Sequence, residues 1–179
     1  QVGTASATCS IYGDITATQT RTGWLYCVDF SYSILDSLAS VSIFLPECAE
    51  GCNPNLVSFP NPAGSLTGVT AANDTCTVEL AGHWYCDGDP TLNAEPPKPT
   101  VSWTPVNGDT CHATLPGVGH ICFELNVPPA APREQTNAIT ILTSNGQCWG
   151  TLKGVFPGCN PPTPVKATTW SELKSRYSN

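Results

Sequence analysis

Residues 24–34 read WLYCVDFSYSI, and this stretch decides the fold class. Apolar or aromatic side chains stand at every second position from Trp24 to Ile34, and mostly small or polar side chains fill the positions between them. This period of two predicts a β-strand with one face toward a core and the other toward solvent.

Shorter runs of the same kind recur along the chain and are separated by turn signals. The earliest run is expected to pair with residues 24–34, and Asn145-Gly146 predicts a hairpin turn between the last two. About seven to nine such strands predict an all-β fold, an antiparallel immunoglobulin-like β-sandwich. The further strand candidates are residues 10–18, 40–45, 75–80, 83–86, 100–104, 121–127, 138–142 and 148–155.

The charge distribution argues against a nucleic-acid partner, and the short apolar runs argue against a membrane span. The formal net charge is −7, and Arg21 is the first basic residue of a chain whose next one is Lys98. A nucleic-acid-binding surface needs a basic patch, which this acidic body does not offer. No apolar run approaches the roughly 20 residues of a membrane span. We therefore expect neither a nucleic-acid partner nor a membrane span.

The cysteine content predicts the compartment. The chain has ten cysteines and no methionine, and it begins at Gln1, which together predict a mature exported protein whose signal peptide has been removed. We therefore expect a secreted, extracellular or cell-surface protein reinforced by disulfides. Many pairings are possible, and pairing of sequence neighbours is favoured because it would clip successive hairpins. Those pairs are Cys9/Cys27, Cys48/Cys52, Cys76/Cys86, Cys111/Cys122 and Cys148/Cys159.

An acidic loop is the one candidate metal site. Asp87, Asp89 and Glu95 offer the hard oxygen ligands that calcium prefers, although a solvated acidic loop is the favoured interpretation. His112 and His120 lie next to or near cysteines, but oxidised cystines with surface histidines are favoured over zinc or copper. We expect no cofactor.

Catalytic motifs are absent from the sequence. It contains no Gly-x-Ser-x-Gly elbow and no glycine-rich phosphate loop, and its carboxylates form no marked pair. A non-enzymatic protein is therefore expected, with a secreted hydrolase as the third-ranked possibility.

Large aromatic residues suggest a second function. An exposed row of them would stack on sugar rings, whereas core packing is the usual fate of aromatics on an alternating strand. Core packing is favoured for Trp24 and Trp103, and Trp84 and Trp149 are left open; Tyr85 belongs to the same set. Asn73 begins an Asn-x-Thr pattern and is a candidate for glycosylation.

The composition changes after Cys159, which divides the chain into a domain of residues 1–159 and a tail of residues 160–179. The tail opens with a proline-rich linker, and Thr169-x-x-Glu172 is a capping box for a short helix. Such a helix needs a surface to dock on, either its own domain or a neighbouring copy. The candidate assembly residues are Trp170, Leu173, Lys174, Arg176 and Tyr177.

Several of these segments carry a resemblance. The run Gly23-Trp24-Leu25-Tyr26, the later 100–103 strand and the segment from Leu115 into His120–Val127 are similar to secreted bacterial surface proteins with an immunoglobulin-like sandwich. The tail pattern TW-x-x-LK-x-RY resembles short C-terminal segments of exported bacterial proteins. The resemblance implies an extracellular structural role and no catalytic residue.

The sequence thus predicts a structural protein that is a self-assembling subunit of a filament or surface layer. Its partner would be another copy of itself, through docking of a terminal segment. The alternative is a secreted carbohydrate-binding or adhesive module, whose partner would be a cell-surface or matrix polysaccharide.

Overall fold

The computed structural model describes residues 9–33, 38–45, 57–69, 74–92, 98–106, 117–143 and 146–158. All secondary-structure elements of the described residues are strands, which confirms the all-β prediction. Among these residues there is no helix long and apolar enough to cross a membrane. The strands are β1 (Ser10–Gln19), β2 (Trp24–Ser33), β3 (Leu38–Phe44), β4 (Val57–Ser58), β5 (Gly64–Val69), β6 (Thr75–Tyr85), β7 (Thr100–Pro105), β8 (Gly117–Leu125), β9 (Arg133–Thr143) and β10 (Gly146–Gly154).

Nine of the strands close into a barrel. Their order around the ring is β2-β1-β10-β9-β3-β7-β6-β5-β8, and β8 pairs back onto β2. The closing ladder, here called the β2–β8 seam, runs from the pair Trp24–Leu125 to the pair Tyr32–Gly117. The short strand β4 pairs with the end of β8 at Leu125 and lies outside the ring.

The number of strands in the ring dictates one parallel pair. Strand direction cannot alternate all the way around a closed ring with an odd number of members. Eight of the nine neighbouring pairs are antiparallel, and β1 and β10 are the parallel pair. Cys9, just before β1, therefore lies level with Cys148 near the beginning of β10.

The expected immunoglobulin-like sandwich is wrong, because the seam joins the sheet into a closed ring. Both architectures bury one face of each strand, so both produce the same alternation of apolar and polar residues. They differ in whether edge strands pair, which is a contact between distant segments. Here β2 pairs with β8, for example at Val28 and Ile121, and all the described strands belong to one sheet.

The local strand predictions are largely confirmed. β1 and β2 form the expected hairpin, and Thr143 pairs with Gly146 where β9 turns into β10. The candidates 75–80 and 83–86 are in fact one strand, β6, which continues through Gly82. The Phe59 ring lies where a side chain at position 82 would be, so the glycine admits that ring instead of breaking the strand.

The inside of the barrel is an aromatic and aliphatic core. Tyr26, Trp103 and Phe123 are all fully buried. Tyr26 stacks on Phe123 at a centroid distance of 5.3 Å, and its hydroxyl donates a hydrogen bond of 2.6 Å to the Val127 carbonyl oxygen. Burial raises the pKa values of Tyr26 and Tyr32 above that of a free phenol. These residues hold the barrel closed from within.

Two glycines on the inner face allow a close approach of Phe30. Phe30 pairs with Gly13 on one side and with Gly119 on the other. A Cβ at Gly119 would overlap the Phe30 ring, and a Cβ at Gly13 would overlap the Cα and Cβ of Phe30 and the Asp29 carbonyl oxygen. The wall of the barrel can therefore curve tightly at this level.

Two disulfides cross between distant strands, and they correct the expected pairing. Cys9 is bonded to Cys148 with a Cα–Cα distance of 5.8 Å, and Cys27 is bonded to Cys122 with a Cα–Cα distance of 4.2 Å. The expected pairs Cys9/Cys27, Cys111/Cys122 and Cys148/Cys159 are therefore wrong. Sequence neighbours proved to be a poor guide because barrel closure places strands side by side that are far apart in the chain.

The remaining cysteines are only partly described. Cys76 and Cys86 are also disulfide-bonded. Cys48, Cys52, Cys111 and Cys159 lie outside the described residues. The tail after residue 158 lies outside them as well, and with it the predicted boundary between domain and tail.

Candidate functional site

A groove of about 470 Å³ runs over the outer face of β1, β2, β8 and β5. Two neighbouring cross-strand rows of outward-facing side chains line it, because every second residue of a strand points away from the core. The first row is Asp14, Asp29, His120 and Ser65. The second row is Tyr12, Ser31, Val118 and Thr67.

The first row concentrates negative charge. Asp14 pairs directly with Asp29 across β1 and β2, an arrangement of like charges that weakens a sheet. On its other side Asp29 accepts a hydrogen bond from His120, with 2.7 Å between Oδ1 and Nδ1. Beyond Asp14, Lys153 of β10 is its partner in register. The row therefore presents hydrogen-bonding groups to solvent at some cost to the sheet.

The second row adds apolar surface and hydroxyl groups. Tyr12 is 50% exposed and Val118 is 59% exposed, which makes both of them exceptions among the large apolar residues of the described chain. Ser31 lies between Tyr12 and Val118, and Thr67 lies on the other side of Val118. An exposed aromatic ring therefore stands next to carboxylates, an imidazole and hydroxyls.

His120 also contacts the disulfide of the β2–β8 seam. Its Nε2 lies 3.2 Å from Cys122 Sγ while its Nδ1 faces Asp29. Possible ligand atoms of Cys27, His120 and Cys122 lie within 4.8 Å of one another. Zinc and other soft metals bind thiolates, and the two sulfurs here are bonded to each other. In this oxidised state the cluster is therefore a histidine-flanked disulfide and not a metal centre.

Glu124 connects the other end of this face to the β1–β2 turn. Its Oε1 accepts hydrogen bonds from the hydroxyls of Thr20 and Thr22. These two hydrogen bonds stabilise the ionised carboxylate and hold the pKa of Glu124 below its ordinary value. The turn is thereby tied to β8, next to Cys122.

The predicted acidic loop is placed on a different face. Asp89 is 5% exposed and accepts hydrogen bonds from the Thr91 amide, the Thr91 hydroxyl and the Ser102 hydroxyl. Ser42 donates in turn to Ser102, across a distance of 2.7 Å. Asp87 is exposed, and Glu95 lies outside the described residues. Asp89 thus anchors its loop to β7 and β3, and the calcium site stays a prediction.

The aromatic residues considered as a glycan platform do not form one exposed row. Trp103 is fully buried inside the barrel, which confirms its prediction as a core residue, and Trp24 is partly buried against the core. Trp149 faces outward, is 37% exposed and stacks on Phe44 at 5.5 Å. Trp84 and Tyr85 are partly buried.

The other predicted site residues lie outside the described part of the chain. They are the glycosylation candidate Asn73 and the assembly residues Trp170, Leu173, Lys174, Arg176 and Tyr177. Their roles stay predictions.

The groove was missed by reasoning from the sequence because four separate strands contribute to it. The alternation in residues 24–34 predicts that Asp29 and Ser31 face solvent, but it does not indicate that Tyr12 of another strand lies beside Ser31. An available signal was the alternation itself, which places Tyr12 and Asp14 on the outer face of the first strand.

Comparison of the chain with models of protein families and with curated proteins gives no match.

Proposed function

We propose that this protein is an extracellular carbohydrate-binding module that holds a neutral glycan in the groove over β1, β2, β8 and β5. The observation that supports the proposal is the exposed ring of Tyr12 next to the row that contains Asp14 and Asp29. The sequence predicts carbohydrate binding as the alternative to self-assembly, but it suggests the tryptophans and Tyr85 as the binding residues and not this groove.

The chemistry of the groove matches that of a sugar. A pyranose ring has an apolar face of C–H groups, which stacks on an aromatic ring, and a rim of hydroxyls. Ionised carboxylates accept hydrogen bonds at two oxygens, and Ser and Thr hydroxyls both donate and accept. Asp14, Ser31 and Thr67 supply these groups around Tyr12. A few polar groups of this kind fix the orientation of a ligand.

The charge of the groove selects among glycans. Asp14 and Asp29 would repel uronic acids and sulfated sugars, and the net charge of −7 adds to this repulsion. A neutral polysaccharide is therefore the proposed ligand. Such polymers are found outside the cell, where disulfides such as Cys27–Cys122 persist.

The sequence also suggests two other functions, self-assembly and hydrolysis. Self-assembly through a terminal segment stays a prediction, because residues 1–8 and 159–179 lie outside the described part of the chain. Hydrolysis would use the same groove, and the binding experiment below separates it from binding by measuring reducing ends.

The proposal is tested by electrophoresis through gels that contain soluble neutral polysaccharides, followed by a titration with the polymer that retards the protein. Tyr12→Ala should weaken binding about tenfold or more, since aromatic anchors of an interface typically contribute more than 1 kcal/mol. Asp14→Ala should weaken it as well. Val106→Ala, at a residue 53% exposed and outside the groove, is the matched control and should bind normally.

Three results would count against the proposal. Retention that is equal in the wild type and Tyr12→Ala would exclude the groove. Loss of binding in Trp149→Ala alone would place the glycan on the Phe44–Trp149 stack instead. Release of new reducing ends from the bound polymer would show a hydrolase.

A further inference from the structure

We propose that Cys27–Cys122 is an exchangeable disulfide, at which an external thiolate attacks Cys27 and His120 supports the departure of Cys122. The reaction partner is a thiol, either of a small molecule or of another protein. This inference does not rest on glycan binding, because its readout is the reduction of a disulfide and not the retention of a polysaccharide.

The exposure of the two sulfur-bearing residues is unequal. Both lie on the outer face of the barrel, where Cys27 pairs with Cys122 across the seam. Cys27 is partly exposed, whereas Cys122 is 6% exposed. Exchange requires approach of the incoming sulfur to one of the two bonded sulfurs. Attack is therefore directed to Cys27, and Cys122 becomes the leaving group.

His120 stands where it can stabilise that leaving group. Its Nε2 is 3.2 Å from Cys122 Sγ, and Nδ1 is 2.7 Å from Asp29 Oδ1. Only the imidazolium form donates from both nitrogens at once, to the carboxylate and to the sulfur. A positive charge next to a cysteine favours its thiolate, and a leaving thiol with a lower pKa departs faster.

The charged groups around His120 come from several strands. Asp29 of β2 contacts it, and Asp14 of β1 follows Asp29 in the same row. Glu124 lies on the same face of β8, and across neutral Ser65 of β5 stands Glu79 of β6. Lys153 of β10 lies beyond Asp14. The carboxylates outnumber this cation, so the charged groups of these strands that face His120 are mainly negative.

The atoms and electrons of the reaction balance. The incoming thiolate forms a new S–S bond with Cys27, and the electron pair of the old bond goes to Cys122 Sγ as a thiolate beside the imidazolium. The imidazolium keeps its Nε2 proton and holds this thiolate in an ion pair. A second external thiolate then attacks the external sulfur of the mixed disulfide, and Cys27 leaves as a thiolate that takes up a proton from water. The two external thiols depart as their own disulfide, so they are oxidised by two electrons and the bridge is reduced by two.

The experiment follows reduction of the folded protein by glutathione. Samples are quenched with acid, alkylated and mapped by mass spectrometry, so that each bridge gives its own rate. In His120→Gln the reduction of Cys27–Cys122 should slow about fivefold, since the leaving thiol loses its cationic neighbour. Asp29→Asn should slow it less. The first adduct should carry glutathione on Cys27.

The dependence on pH separates this role from a structural one. The ratio of the wild-type rate to the His120→Gln rate cancels the ionisation of glutathione itself. The ratio should be largest near about pH 6 and approach one near about pH 8.5, as histidine side chains lose their charge across this range.

The second disulfide is the internal control. Neither described histidine is hydrogen-bonded to Cys9–Cys148, since His83 contacts Thr104 and His120 contacts the seam. Its reduction rate should therefore be equal in the wild type and in His120→Gln, which also checks that the variant is folded. Equal rates at Cys27–Cys122 in the two proteins, a first adduct on Cys122, or reduction of both bridges only upon unfolding would each overturn the proposal.

Discussion

Cys27 in β2 faces Cys122 in β8 directly across the seam that closes the barrel, and their Cα atoms are 4.2 Å apart. The bond joins two residues that are 95 positions apart in the sequence. It therefore makes covalent the one strand pairing that turns an open sheet into a ring.

Removal of the seam disulfide should destabilise the barrel. Cys27→Ser/Cys122→Ser is expected to lower the free energy of unfolding by about 2–4 kcal/mol, because the unfolded chain regains a long open loop. The matched variant is Cys9→Ser/Cys148→Ser, with a sequence separation of 139. Loop entropy alone predicts that the two losses differ by only about 0.3 kcal/mol. Urea unfolding measures both, and an unchanged midpoint in the first variant would contradict the prediction.

A methyl group at Gly119 should disturb the core. Gly119→Ala places its Cβ inside the volume of the Phe30 ring and is expected to cost about 1–3 kcal/mol through overpacking. Val118→Ala, at the adjacent position that is 59% exposed, should change stability by less than about 0.5 kcal/mol. Thermal unfolding compares the two, and equal melting temperatures would show that Phe30 moves aside at little cost.

The buried carboxylate of Asp89 should matter more than the hydroxyl at the far end of its network. Asp89→Ala removes the acceptor of three hydrogen bonds and is expected to cost more than about 2 kcal/mol. Ser42→Ala removes only the donor to Ser102, and about 1 kcal/mol is expected. The reverse order in chemical denaturation would mean that Asp89 does not anchor its loop.

Strong alkali should unfold the barrel through its buried tyrosines. The pKa values of Tyr26 and Tyr32 are raised by burial, so the folded state keeps both phenols neutral after the unfolded chain has begun to ionise near pH 10. Stability is therefore complete below about pH 10 and falls above it. Phenolate absorbance should rise late for these two tyrosines, together with loss of structure. Tyr26→Phe should reduce the slope of stability against pH in this range.

Acid should remove a small contribution from Glu124. Its pKa is lowered in the folded state, so ionisation stabilises the fold above the unfolded pKa, and this stabilisation is lost as the pH falls through the folded pKa. Wild type should exceed Glu124→Gln in stability near about pH 6 by less than about 1 kcal/mol, because the group is exposed. The difference should disappear near about pH 3. A difference that persists in acid would assign it to shape and not to charge.

The sequence predicted the strands well and their arrangement poorly. The alternation between Trp24 and Ile34 contains enough information for a strand and its buried face, and Asn145-Gly146 marks a hairpin. Closure of the ring depends instead on whether β2 meets β8, which no local pattern records. Each of the two described disulfides likewise joins neighbouring strands that are far apart in the chain, so no local pattern records its pairing.

The candidate site, too, could be predicted from the sequence only in part. That Asp29 faces solvent could be predicted from its own strand. That it lies between Asp14 and His120 could not, since the three residues belong to three strands whose register is set by the whole ring.

The parallel neighbours β1 and β10 have a mechanical consequence, because Cys9–Cys148 joins them at the same end of the barrel. Tension applied between Cys9 and Gly158 would pass through this bond into β10 and leave β1 to β9 unloaded. The loaded path is residues 148–158, most of which belongs to the extended strand β10, and it spans at most about 35 Å. The domain should therefore be almost inextensible under tension until this bond is cut. Once it is cut, β1 and β10 would be pulled past each other, and their hydrogen bonds would have to break together.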